Sequence, residues 1–70
     1  MANAPVVKYR LGAVTASVWA NERHYNVTIT KSYREKETDE WKETDSLGAG
    51  DLMNAVRVLQ RCEEYIADQH

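Results

Sequence analysis

Few side chains in this chain of 70 residues could perform covalent or acid–base chemistry. Cys62 is the only cysteine, and it falls on the apolar side of a predicted helix, where a thiol packs as a small core residue. His24 lies in a predicted hairpin turn, and we interpret it as an exposed turn residue, with a phosphate or base contact as the alternative. The sequence has no phosphate-binding glycine loop, nucleophile elbow or zinc-ligand cluster. We therefore expect no enzymatic activity, no cofactor and no metal site.

Residues suited to binding a single-stranded nucleic acid are present. Such strands are held by aromatic side chains that stack on bases and by cations that follow the phosphate backbone. The predicted nucleic-acid-binding residues are Arg10, Trp19, Arg23, Thr28, Thr30, Arg34 and Lys42. Two plainer interpretations stay open: Trp19 could simply pack on its neighbours, and Arg34 and Lys42 could only keep an open sheet soluble.

Alternation of apolar and polar residues predicts the strands that position these side chains. Residues 8–20 form one long strand or two short ones divided at Gly12, residues 25–34 form the clearest strand, and residues 41–47 form a weaker one. The polar stretch 21–24 and the charged stretch 35–40 connect them. We expect one sheet face to be uncovered and free of carboxylates, with the side chains of Thr15, Ser17, Trp19, Asn26, Thr28, Thr30, Ser32, Arg34, Lys42, Thr44 and Ser46.

Apolar residues at helical spacing predict an amphipathic helix over about residues 49–67. Its stripe consists of Leu52, Ala55, Val56, Leu59, Cys62 and Ile66. Val58 and Tyr65 widen the apolar surface, so the helix could cover the sheet and still meet a second subunit. The predicted dimer-interface residues are Val58, Leu59, Cys62, Tyr65 and Ile66.

These elements predict an α+β domain, with a three- to four-stranded antiparallel β-meander followed by one long C-terminal helix. We expect a flexible tail over residues 1–7 and a single domain over residues 8–70. A chain this short buries only about 60% of its unfolded surface. Because one cysteine excludes an internal disulfide, a homodimer is the remaining source of stability.

Composition gives a weaker indication of the partner. The sequence has no apolar run long enough to span a membrane, and its first residues do not resemble a signal peptide, so we expect a cytoplasmic protein without membrane contact. The net charge is -2, but the charges are unevenly distributed. Residues 1–34 contain five cations and one carboxylate, whereas residues 35–70 contain four cations and ten carboxylates. This asymmetry predicts two electrostatically different faces.

The stretch from Trp19 to Ile66 resembles the transcriptional positive-cofactor-four coactivators and their bacterial and phage relatives, within the Whirly-like superfamily. The similar pieces are residues 25–33, the charged turn, residues 41–44, and Ser46-Leu47 leading into the helix. The resemblance implies a dimer whose helices form the interface and whose sheets bind single-stranded DNA, with RNA left open. Trp19 and Arg23 match the family's contacts around the first hairpin, and Lys42 is the only match to its basic residues before the helix. Glu43 and Asp45 stand where the family is rich in lysine.

A second hypothesis is a protein-interaction module of the same fold. The segment 35–45 contains six carboxylates and two lysines, and it could meet a basic surface by charge complementarity. The plainer interpretation of this segment is a solvated turn.

Overall fold

A computed structural model describes residues 4–69; Met1–Asn3, within the predicted tail, and His70 lie outside them. The described residues form a four-stranded antiparallel sheet of strand order β1-β2-β3-β4, followed by a helix. The bounds are β1 Val7–Leu11, β2 Val14–Ala20, β3 Tyr25–Arg34, β4 Trp41–Thr44, a 3₁₀ turn Ala49–Asp51 and α1 Leu52–Asp68. The predicted α+β meander with a C-terminal helix is therefore confirmed.

Gly12 divides the first predicted strand into β1 and β2. Leu11 pairs with Val14, so Gly12 and Ala13 alone connect the two strands. Gly12 has a φ of 63°, which glycine adopts without steric cost and which two-residue hairpin turns favour. A Cβ at this position would lie 2.8 Å from Nδ2 of Asn54. The turn therefore needs glycine for its conformation and for the close approach of α1.

β4 ends earlier than predicted. Hydrogen-bonded pairing with β3 stops at Thr44, which lies opposite Lys31. The hydroxyl of Thr44 accepts a hydrogen bond from the backbone N–H of Ser46 at 3.1 Å. Such a local side-chain bond competes with the sheet ladder and favours a turn, so the chain leaves the sheet before Leu47.

A carboxylate joins the start of the helical segment to the sheet. Oδ2 of Asp51 accepts a hydrogen bond from the Gly48 N–H at 2.9 Å and lies 2.6 Å from Nζ of Lys31. The hydrogen bond from Lys31, with that from Gly48, holds the pKa of Asp51 below its ordinary value of 3.8. Asp51 thus stabilises the helix start and attaches it to β3.

The protein core is small and lies between β2 and α1. Its buried apolar residues are Val14, Ala16 and Val18 on β2 and Ala55, Val58 and Cys62 on α1. Half-buried side chains from β1, β3 and the end of α1 surround them. Three of the six core residues are alanine or cysteine, so little apolar surface is buried within the protomer.

This core corrects two of the predicted dimer contacts. Val58 is 2% exposed and Cys62 is 1% exposed, so both side chains are already buried within the protomer and cannot meet a second subunit. Of the other predicted contacts, Leu59 is 41% exposed, while Tyr65 and Ile66 are half-buried against the core.

The exposed apolar residues of α1 form a second surface beside the core, which we call the helix stripe. It consists of Leu52, Met53, Val56 and Leu59, which are between 41% and 68% exposed. Helical spacing grouped Leu52 and Val56 with Ala55 and Cys62, but only Ala55 and Cys62 are buried. Leu59, a predicted dimer contact, is exposed as well. Because α1 packs mainly against β1 and β2 and little against β3, only one part of its wide apolar arc meets the sheet.

The protomer is flat. Its principal-axis extents are 45 × 32 × 14 Å, and its radius of gyration is 13.5 Å. A compact domain of this length has a radius of gyration of about 11 Å. A thin sheet with one helix laid along part of it leaves much of its apolar surface uncovered.

Candidate nucleic-acid interface

The sheet face turned away from α1 is the candidate interface, and we call it the open face. Val14, Ala16 and Val18 point into the core, so the intervening residues of β2 point the other way. Residues that lie directly opposite each other on antiparallel strands share a face. The register therefore shows which residues of β1, β3 and β4 share the open face with those of β2. The open face consists of Lys8, Arg10, Thr15, Ser17, Trp19, Asn26, Thr28, Thr30, Ser32, Arg34, Trp41 and Glu43.

Trp19 lies across the sheet instead of standing free in solvent. Its indole Nε1 donates a hydrogen bond of 2.9 Å to Oγ1 of Thr28 on the neighbouring strand. Directly opposite Trp19 is Asn26, so Thr28 is reached diagonally. The side chain remains half-exposed. This bond orients a large aromatic ring over β3, as a stacking platform requires.

Cations line the β1 side of the open face. Lys8 lies opposite Ser17 and Arg10 lies opposite Thr15, and both are exposed. Nε of Arg10 donates to the carbonyl of Gly12 at 3.1 Å, which leaves the terminal nitrogens of the guanidinium available to a ligand. Arg23 is exposed in the turn between β2 and β3, at the Trp19 end.

Arg34 and Trp41 form the opposite corner of the open face. They face each other across β3 and β4. Nη2 of Arg34 lies 2.6 Å from Oδ1 of Asp39 in an exposed salt bridge, so part of its charge is neutralised. Trp41 is 71% exposed, more than any other large apolar side chain in residues 4–69.

The predicted position of Lys42 on the open face is wrong. Lys42 lies opposite Tyr33, and Thr44 opposite Lys31, so both share the face that α1 covers in part. Nζ of Lys42 lies 3.8 Å from Oε2 of Glu35. The same register brings Glu43 onto the open face opposite Ser32, and the prediction of a carboxylate-free face is therefore also wrong.

The open face is nevertheless more positive than the whole chain. It carries Lys8, Arg10 and Arg34 against Glu43 alone, whereas the chain has a net charge of -2. The two predicted threonines lie between its aromatic corners, with Thr28 opposite Ser17 and Thr30 opposite Thr15. The structure thus brings together six of the seven predicted binding residues, five on the face and Arg23 at its end.

Sequence reasoning missed Lys8 and Trp41. Lys8 has the same parity as Arg10, so the alternation in β1 could have identified it. Trp41 had no such signal, because the face of β4 depends on its register with β3.

Cys62, the one cysteine of the chain, lies in the buried core. Burial raises the pKa of the Cys62 thiol, which disfavours the reactive thiolate. Among residues 4–69, no group of three or more histidine, cysteine, aspartate or glutamate side chains could hold a metal ion. Within the same residues, no helix combines the length and the hydrophobicity needed to cross a membrane. No known protein family, curated protein sequence or solved structure matches the chain.

Proposed function

We propose that the protein is a homodimer that binds single-stranded nucleic acid, DNA in the first place, on its open face. One observation carries the proposal: the indole of Trp19, fixed by a hydrogen bond to Thr28, lies on a sheet face where cations outnumber carboxylates. Stacking and phosphate attraction are the two interactions by which proteins hold single strands with little sequence preference. The resemblance to the positive-cofactor-four coactivators points to the same ligand.

The dimer is proposed on separate grounds. Six small or medium side chains make up the buried apolar core of residues 4–69, and the helix stripe leaves four large apolar side chains partly exposed. Small domains without disulfides or metals commonly gain stability by oligomerisation. If the helix stripes of two protomers pack against each other, each stripe covers the other, as in a two-fold symmetric interface.

The binding proposal predicts a specific salt dependence. Replacing Lys8 and Arg10 together by glutamine removes two cations from the open face. If both side chains contact phosphates, the plot of the logarithm of the association constant against the logarithm of the salt concentration should become shallower. Its slope should decrease in magnitude by about 1.4, because each contact with a single strand contributes about 0.7. The matched control replaces Arg57 and Arg61, two exposed arginines of α1, and should leave the slope unchanged.

Fluorescence anisotropy of labelled oligonucleotides at several salt concentrations measures the affinity and its salt dependence. Trp19→Ala should weaken binding about fivefold or more, since stacking contributes about 1–3 kcal/mol per base. A duplex of the same sequence should bind less tightly, because its bases are not available to Trp19. If single strands fail to bind at low salt, or if the Arg57 and Arg61 replacements affect the slope as strongly as the open-face pair, the proposal is wrong.

The second candidate function is recognition of a basic protein surface by the acidic segment 35–45. The observation that favours it is that Glu37, Glu40 and Asp45 are exposed and form no salt bridge within residues 4–69. Purification from the native host discriminates between the two candidates. A stoichiometric protein partner without nucleic acid would favour this one, whereas a raised absorbance ratio of 260 to 280 nm would favour nucleic-acid binding.

A further inference from the structure

Trp41 lies on the open face at the corner diagonally opposite Trp19. The register places Trp19 opposite Asn26 and Trp41 opposite Arg34, so the two indoles flank β3 on different sides and near different ends. These two are the only tryptophans of the chain. Both are therefore on the same face, and neither contributes to the buried core.

The exposure of Trp41 is unexplained by the fold. A side chain that is 71% exposed gains little from packing, and an indole left in water forgoes the stabilisation that burial would give it. Arg34 lies directly opposite; Asp39 neutralises part of its charge at 2.6 Å, but the side chain of Arg34 stays 58% exposed. A cation held beside an accessible aromatic face is the combination that receives a stacked base and its phosphate.

We propose that Trp41 is a second stacking platform and that one nucleic-acid strand crosses the open face diagonally from Trp19 to Trp41. This inference rests on the proposed function and specifies the path and length of its ligand. Thr28, Thr30 and Ser32 provide hydroxyl donors to a phosphate backbone along the path. Glu43, opposite Ser32, is the one carboxylate of the open face, and it borders the path near Trp41.

The register gives the length of this path. Asn26 and Arg34 are eight residues apart on β3, or about 27 Å at the usual strand rise, and β2 and β4 are two strand spacings apart, or about 10 Å. The diagonal between the two platforms is thus about 29 Å. A strand with the rise of about 3.4 Å per nucleotide seen in duplex DNA needs about nine nucleotides to cover it, and a stretched strand needs fewer.

A single strand fits this surface better than a protein partner does. The corner at Trp41 is joined to the corner at Trp19 by a continuous row of short polar side chains on β3, not by apolar pockets. Protein interfaces concentrate their binding energy in well-packed apolar centres, whereas separated aromatic platforms with cations beside them are typical of single-strand binding. Here Arg34 lies beside Trp41, and Lys8 and Arg10 lie on β1, next to the strand that carries Trp19.

Single-tryptophan variants separate the two platforms. Trp19→Phe leaves Trp41 as the only tryptophan, and Trp41→Phe leaves Trp19. Each variant is titrated with oligothymidylates from about four to about sixteen nucleotides, the range of site sizes of single-strand-binding domains. We expect long strands to quench both reporters at one strand per protomer, and the affinity of the wild-type protein to rise once the strand exceeds about nine nucleotides.

Alanine variants test the contribution of the second platform. Trp41→Ala should weaken the binding of a long oligonucleotide about fivefold or more and abolish the gain in affinity with strand length. Thr38→Ala, in the neighbouring turn, should change neither quantity. Because Trp41 is mostly exposed, circular dichroism and the urea midpoint of the variant should match those of the wild-type protein.

Failure of this inference can be distinguished from failure of the proposed function. If long strands quench Trp19 while the emission of Trp41 and the affinity of Trp41→Ala stay unchanged, the second platform is wrong and single-strand binding stands. If neither tryptophan responds and anisotropy detects no binding, both proposals fall. If Trp41→Ala changes the oligomeric mass but not oligonucleotide affinity, Trp41 is a subunit contact and the inference is overturned.

Discussion

Replacing Leu59 by glutamate tests whether the helix stripe holds two protomers together. Leu59 is 41% exposed and lies outside the buried core. The substitution puts a carboxylate on the stripe while keeping a residue with high helix propensity. We therefore expect the protomer to keep its fold and the dimer to dissociate.

The exposed fraction of Leu59 gives the expected magnitude. Full burial of a leucine side chain contributes about 1.5–3 kcal/mol, so covering the remaining 41% contributes about 0.6–1.2 kcal/mol in each protomer. Two-fold symmetry doubles this loss to about 1.2–2.5 kcal/mol. Burying an unpaired polar group in each half adds at least about 1 kcal/mol per site. The dimer dissociation constant should accordingly rise at least about 100-fold.

Sedimentation equilibrium at several protein concentrations measures the dissociation constant, and circular dichroism checks that α1 remains folded. Thr38→Glu, which adds the same charge in the exposed turn 35–40, is the control and should leave the constant unchanged. If wild-type protein is monomeric at every concentration, or if Leu59→Glu dimerises as tightly as wild type, the stripe is not the interface.

Three further predictions concern stability and reactivity. Gly12→Ala should lower the free energy of unfolding by about 1–2 kcal/mol in urea, because a φ of 63° is unfavourable for alanine and the added Cβ would lie 2.8 Å from Nδ2 of Asn54. Gly50→Ala, with no atom within 4 Å of the added Cβ, should not destabilise. The pKa of Asp51 is lowered by Lys31, so the stability that Asp51 contributes is complete above pH 3.8, its ordinary value, and is lost as the pH falls through the lower folded-state value. Urea midpoints should therefore fall less steeply with acid in Asp51→Asn than in wild type, and equal slopes would contradict the role of this ion pair. Cys62 should react with a thiol reagent only after unfolding, since it is 1% exposed and burial raises its pKa; rapid labelling of the folded protein would show that the core opens.

Local sequence patterns were sufficient for β2 and β3. Thr15, Ser17 and Trp19 were predicted on the uncovered face, and the burial of the intervening Val14, Ala16 and Val18 in the core confirms this. Alternation carries this information because the side-chain period of a strand is two and one face must be apolar. The positions of Trp19, Thr28, Thr30 and Arg34 on the open face follow from the same pattern.

The face of β4 could not be obtained in this way. Both parities of residues 41–47 contain charged residues, so the pattern did not specify which residues face the core. The turn between β3 and β4 decides the register: Asp39 adopts a φ of 60° and the Glu35 N–H donates to the Glu40 carbonyl at 2.8 Å. A shift of one residue exchanges the two faces, and it is this difference that removes Lys42 from the candidate site and brings in Trp41.

The sequence by itself determined that a polar sheet face and an apolar helix exist, because hydrophobic periodicity is a local property of the chain. It could not determine which part of the helix's apolar arc meets the sheet. Tertiary packing over β1 and β2 buries Ala55, Val58 and Cys62 and leaves Leu52 and Leu59 outside. That choice depends on the width of the sheet and the position of the helix across it, which are set by contacts between residues distant in the chain.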